Sequence, residues 1–222
     1  MNPFTWAVRS VKRRGLLPTV QVGVSAIVDL TFDLRYGTDT ARGRSLEDLA
    51  LESENKVHAV HYQASKAGPL FQLLNSFKIP KHGTFVDFGS GKGRVLLVAA
   101  EYGFRRVIGV EFSSELCAIA RKNLSGLQQR LMRPVDIEIV EIDAAKFVIQ
   151  RDQTVFYLYN PFAAVVLEQV MANLRDSLAA FPRQVWLIYN TPVHRHAVET
   201  AAIFTKTSEF ETQGNQFCVF QN

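Results

Sequence analysis

The sequence is short of cysteine. Cys117 and Cys218 are the only two, far apart in the chain. They exclude a disulfide framework and offer no zinc-ligand spacing. They fit a reducing compartment, with each thiol acting as a small residue in or near the core. Long hydrophobic runs are also lacking. Residues Val20 to Val28 form an apolar stretch that Asp29 closes, well short of the roughly 18–20 residues needed to cross a bilayer. Residues 3–17 have a basic start but lack the apolar core and small-residue cleavage site of a secretion signal. A cytoplasmic protein without a membrane span is expected. There is no internal repeat and no low-complexity tract. With 47% hydrophobic residues, 21% charged residues and a net charge of +4, the chain has too much apolar content for a disordered protein.

The small positive charge is unevenly distributed. Residues 1–44 hold seven Arg or Lys against three Asp, an excess equal to that of the whole chain. Such an arm can stay solvated, or can attract an acidic surface, nucleic acid or anionic lipid.

Two regions separate along the chain. Residues 1–80 show no clean alternation of strands and helices and read as a mainly helical accessory or lid region. Residues 81–222 alternate regularly. Strands are expected at 84–88, 106–111, 135–140, 154–159 and 184–189, short apolar stretches of which the third shows partial alternation. Helices are expected at 93–102, from Ser113 or Ser114 to about 125, at 163–180 and at 194–202. Gly103 and Pro182 stop the first and third of these, and a serine caps the second. Residues 204–211 and 216–221 read as a closing hairpin joined through Gly214-Asn215. Alternation of this kind builds an α/β, doubly wound, mostly parallel sheet of seven strands. The hairpin adds an antiparallel strand at its C-terminal end.

Asp87-Phe88-Gly89-Ser90-Gly91-Lys92-Gly93-Arg94 lies between the first strand and the first helix. Glycine permits a tight bend and close approach of a ligand to the main chain. A P-loop fails twice, because Val86 stands five residues before Gly91 and Gly93 follows Lys92. A dinucleotide fingerprint fits poorly, because Arg94 stands where a third glycine or alanine is required. Asp87, two residues before the first glycine, favours a cationic ligand over a pyrophosphate. S-adenosylmethionine (SAM) carries a sulfonium and an ammonium group and no phosphate. Glu111 ends the second strand, 22 residues after Gly89, where an acidic side chain can accept from both ribose hydroxyls. Phe112 can stack on adenine. Asp143, after the third strand, is placed to accept from the adenine amino group, with the Ala144 N–H facing the ring. Gly89, Ser90, Gly91 and Gly93 complete the expected cofactor site. Ligands of open α/β sheets bind along this carboxyl edge.

On these motifs, together with Tyr159-Asn160-Pro161-Phe162, residues 84–221 resemble class I SAM-dependent methyltransferases. The resemblance spans about 60% of the chain. The Gly-Ser-Gly-x-Gly-Arg form is also similar to protein-lysine methyltransferases of this fold, including the non-SET histone lysine enzymes. Phe32 to Thr40 resembles a segment of bacterial methyltransferases of unassigned substrate.

The resemblance implies that the corner after the fourth strand faces the transferred methyl. Asn160, Pro161 and Phe162 are similar to the Asn-Pro-Pro-Tyr/Phe motif of enzymes acting on amino or amide nitrogens, with one proline instead of two. It implies that Asn160 accepts from the target nitrogen and also borders the cofactor, and that Phe162 stacks on the target. Tyr189-Asn190-Thr191-Pro192 echoes the motif after the fifth strand. Tyr36 to Thr40 is rich in turn formers and reads as a lid over SAM. Tyr62 is a candidate for the methionine end of SAM. His58, His61, His82, His194 and His196 show no metal-ligand pattern, so no metal is expected. The implied activity is methyl transfer from SAM to an acceptor not identifiable from sequence. A protein acceptor is favoured over nucleic acid or a small molecule. A nucleic-acid methyltransferase and a catalytically idle SAM-binding scaffold are the alternatives.

Overall fold

The computed structural model describes residue 15, residues 31–40 and residues 64–222 except residue 132. Tyr62, His58, His61, the Val20–Val28 stretch and most of the basic arm lie outside the described residues. Residues 31–36 are helical. The elements that follow are α1 (Ala67–Ser76), β1 (Thr84–Phe88), α2 (Arg94–Tyr102), β2 (Arg106–Glu111), α3 (Ser114–Leu124), the single turn α4 (Leu127–Arg130) and β3 (Asp136–Glu141). A 3-10 turn (Ala144–Lys146), β4 (Gln153–Tyr159), α5 (Ala164–Ala180), β5 (Trp186–Asn190), α6 (Arg195–Thr200), β6 (Lys206–Thr212) and β7 (Asn215–Gln221) complete the chain.

One seven-stranded sheet runs in the order β3-β2-β1-β4-β5-β7-β6. The first five strands are mutually parallel. β7 pairs antiparallel with both β5 and β6. The expected doubly wound α/β sheet with an antiparallel C-terminal hairpin is the observed architecture. The order reverses between β1 and β4, the crevice where open α/β sheets take their ligands.

Strand residues alternate between two cores. Phe85, Val107, Val155, Tyr157, Ile188, Phe217 and Val219 pack on one face, under α1 and α2. Val86, Phe88, Ile108, Val110, Phe156, Leu158, Leu187, Cys218 and Phe220 pack on the other, under α5 and α6. α1 lies before the boundary read near residue 80, yet Leu70, Leu73 and Leu74 sit in the first core. The Tyr102 hydroxyl fastens α1 to α2, donating to the carbonyls of Leu74 (2.8 Å) and Ile79 (3.1 Å).

Local chemistry sets the ends of the elements. Ser113 caps α3, its Oγ accepting from the Leu116 N–H, with Glu115 in the first turn and Arg121 and Lys122 in the last. Gly103, at φ 137°, closes α2. The hairpin turns on Gln213 and Gly214, both at positive φ (50° and 71°), with Thr212 paired to Asn215. Two consecutive positive φ values match the twist of the flanking strands. Asn215, expected in the turn, is instead the first residue of β7. No helix among the described residues is long and apolar enough to cross a membrane.

Candidate functional site

The turn after β1 is built from three glycines at positive φ: Gly89 (74°), Gly91 (53°) and Gly93 (84°). Any other residue would be strained at these positions. The bend lies against β2, where the N–H groups of Gly89 and Ser90 both donate to the Val110 carbonyl (2.9 and 3.1 Å). A Cβ on Gly89 would fall 2.4 Å from Pro161 Cβ. The missing side chain therefore lets the turn after β1 and the corner after β4 close on each other across the switch point. Gly109 has a similar role within β2. A Cβ there would meet Ser90 Oγ at 2.6 Å and Leu96 Cδ1 at 2.7 Å. A glycine inside a strand signals such close approach, and this one was readable in the sequence but not singled out. Ser90 Oγ is buried without a hydrogen-bond partner, a polar atom with capacity for a ligand.

Asp87 is 2% exposed. Burial, followed by the charge of Glu111, holds its carboxyl well above the ordinary carboxylate range. A buried acid in this condition suits a cation. Glu111 is buried too. Its Oε1 accepts from the N–H groups of Phe112 and Ser113 (both 3.0 Å) and its Oε2 from the Gly91 N–H (2.9 Å). Burial pushes Glu111 up, opposed by these three N–H groups, which favour the ionised form. Glu111 thus fixes the glycine turn to the end of β2. Two carboxylate oxygens have about four acceptor positions, so capacity remains for a ligand hydroxyl. Phe112 is half-buried. Asp143 caps the 3-10 turn, its Oδ1 accepting from the Ala145 N–H (2.9 Å), and Ala144 is buried beside it. β1, β2 and β3 are neighbours, so Asp87, Glu111 and Asp143 lie along one edge of the sheet.

At the β4 corner Asn160 has φ 41°, and at the β5 corner Thr191 has φ 52°. Left-handed backbone is tolerable for Asn and costly for a β-branched residue, and such strain concentrates at functional sites. The Tyr189 hydroxyl donates to Asn160 Oδ1 (3.3 Å) and accepts from the His194 N–H (3.1 Å). Beside this pair, Asn190 Nδ2 donates to the Tyr157 hydroxyl (3.0 Å), which donates to Ser65 Oγ (2.8 Å). The two motifs that echo each other in sequence therefore meet through Tyr189 and Asn160. Phe162, whose ring was expected to stack on an acceptor, is 8% exposed and packs in the second core with α5. That ring supports the corner from below.

Lys92 and Arg94 follow Gly91 and Gly93 in the same turn. Both are buried and reach residues 33–40. The sequence offered no signal for this, because the partners are 53 and 54 positions distant.

A mostly parallel sheet with this strand order, a glycine turn after β1 and acids along the carboxyl edge define the class I SAM-dependent methyltransferase fold. Residues 55–154 match the model of a family described as histone methylation protein DOT1. Together, that match, the fold and the turn make this chain a SAM-dependent methyltransferase, with SAM as its cofactor. Solved structures show the same fold at low identity. Ribosomal protein L11 methylase from Lactobacillus delbrueckii subsp. bulgaricus aligns at TM-score 0.52 and 17% identity, covering 68% of this chain and 75% of that one. An RNA methyltransferase from Salinibacter ruber in complex with S-adenosyl-L-homocysteine gives 0.51 and 19%, covering 69% and 90%. A putative methyltransferase, yhhF, from Escherichia coli gives 0.55 and 16%, covering 70% and 85%. Comparison with curated proteins gives no sequence match.

Proposed function

We propose that this enzyme transfers the SAM methyl group to a nitrogen of a protein. SAM supplies a methyl group activated on a sulfonium, and the chain's part is to bind, align and exclude water. Asp87 takes the ammonium end, Glu111 a ribose hydroxyl and Phe112 a face of adenine. Asp143 and Ala144 take the adenine edge, and the Gly89–Gly93 main chain and Ser90 Oγ line the floor. Residues 81–222 form the catalytic unit, with residues 36–40 as a lid.

The observation that carries the acceptor reading is the Asn160 corner. Its amide oxygen is steadied by Tyr189, and Pro161 seats the corner against Gly89. An amide oxygen keeps one lone pair after accepting from Tyr189 and can orient an N–H for attack. An attacking amine needs no strong base there. The match to a protein-methylating family supports a protein acceptor.

Tritiated-methyl transfer from SAM into a cell lysate tests this reading. Label should enter protein and survive nuclease. Label confined to RNA or to small molecules would overturn the protein reading. Asn160→Ala should lower turnover more than tenfold with SAM affinity changed less than threefold. Asp87→Ala and Glu111→Ala should each weaken SAM binding tenfold or more by calorimetry.

A further inference from the structure

We propose that Lys92 and Arg94 are positioning residues that clasp segment 33–40 to the cofactor turn, and that Asp33 and Asp39 neutralise them so that the turn can hold a cation. The inference rests on the reading that the glycine turn holds SAM.

Lys92 is 0% exposed and Arg94 is 2% exposed. Buried cations are costly unless paired and hydrogen-bonded. Both follow the glycines at the start of α2, where the helix dipole also disfavours positive charge. Both lie on the turn that must receive a sulfonium and an ammonium. Left uncompensated, they would repel that ligand through a low-dielectric interior, where charges act strongly over several ångströms.

Segment 33–40 supplies the compensation. Arg94 Nε donates to Thr40 Oγ1 (2.7 Å), Arg94 Nη2 lies 3.6 Å from Asp33 Oδ2, and the guanidinium sits over the Phe32 ring at 5.4 Å. Lys92 Nζ lies 3.4 Å from Asp39 Oδ2. Asn123 of α3 closes the bracket, donating to the Lys92 carbonyl (3.0 Å) and accepting from the Asp39 N–H (3.1 Å). Asp33 folds the segment on itself, its carboxylate accepting from Thr38 Oγ1 (2.7 Å), Thr40 Oγ1 (2.5 Å) and the Thr40 N–H (3.0 Å). The clasp therefore meets the cofactor turn at its two cations, and loosening it returns positive charge to the turn.

The test is calorimetric and stopped-flow binding of SAM and of S-adenosylhomocysteine, which lacks the sulfonium charge, to the full chain and its variants. Asp33→Asn and Asp39→Asn should each weaken SAM at least fivefold and speed its dissociation. The loss for S-adenosylhomocysteine should be at least threefold smaller. Arg94→Met should weaken both ligands alike by freeing the segment, and Arg94→Lys should recover part of the loss. Asp39 is half-exposed, so its variant folds even where Asp33→Asn does not. SAM affinity and dissociation within twofold of the parent in Asp39→Asn, or equal losses for the two ligands in both Asp variants, would overturn the clasp while leaving the cofactor reading intact. A parent chain that binds neither ligand overturns both readings.

Discussion

At the scale of single residues, the acid at the end of β1 governs how the site responds to pH. Asp87 is held up by burial and by Glu111, so in the empty cleft it stays protonated above the ordinary carboxylate range. A cationic ligand favours the ionised form, so binding expels a proton. SAM affinity should therefore rise with pH from the ordinary carboxylate range upward and flatten once Asp87 is already ionised in the free protein. Below that point the dependence approaches tenfold per pH unit, the limit for one proton linked to binding. Calorimetry in buffers of different ionisation enthalpy should count the released proton, and Asp87→Asn should abolish both slope and release. The opposite sign applies to folding. Ionising this group without a partner costs the native state, so Asp87 lowers stability as pH climbs from its unfolded to its folded pKa. Asp87 and Glu111 were visible in the sequence because their spacing from the glycines is local. Lys92 and Arg94 were visible as letters only, because the residues that give them meaning come from a remote segment.

At the scale of elements, tolerance is set by how closely they approach. Gly89→Ala combines a left-handed backbone strain of about 1–2 kcal/mol with a clash against Pro161. It should separate the turn from the β4 corner and lower SAM affinity at least tenfold, while far-ultraviolet circular dichroism stays unchanged. The end of α5 depends on Arg183. Its Nη1 donates to the carbonyls of Ser177 (3.3 Å) and Phe181 (2.9 Å), its Nε to that of Gln153 (3.0 Å) and its Nη2 to that of Gln150 (3.0 Å). A hydrogen bond to a charged donor contributes about 1.5–3 kcal/mol net when shielded, and two of these four are exposed and count for less. Arg183→Ala should therefore cost about 2–4 kcal/mol, read as a lowered midpoint in urea, with SAM affinity unaffected. The seven strands and four of the helices of the 84–221 stretch were legible from apolar runs, caps and stops, whereas the single turn α4 and the 3-10 turn were not, because each is too short to show a periodic pattern. The fate of Phe162 was not, since a motif comparison carries no information on which core lies beneath a corner.

At the scale of the whole molecule, the sheet is closed by an inserted strand. β7 lies between β5 and β6 and feeds both cores, Phe217 and Val219 to one, Cys218 and Phe220 to the other. β6 takes the edge with Lys206, Ser208, Glu209 and Glu211 exposed, and charges on an edge strand discourage pairing with a second chain. This order of the hairpin strands was not read from the sequence, although the apolar composition of β7 and the polar composition of β6 agree with it. Without residues 215–222, β5 becomes an exposed hydrophobic edge. A variant stopping after Gly214 should be insoluble or lack a cooperative thermal transition.

The two thiols carry a practical consequence. Cys117 is fully buried, donates to the Glu111 carbonyl at 3.5 Å and is pushed up to about 12, chiefly by burial. Cys218 is buried in the sheet, and burial raises its pKa as well. Alkylating dyes attack thiolates, so the native protein should be dark to maleimide chemistry until it unfolds. Leu34, 81% exposed on the helix that leads into the clasp, could then be replaced by a lone reactive cysteine. A fluorophore placed there would report the segment's movement in real time against a silent background.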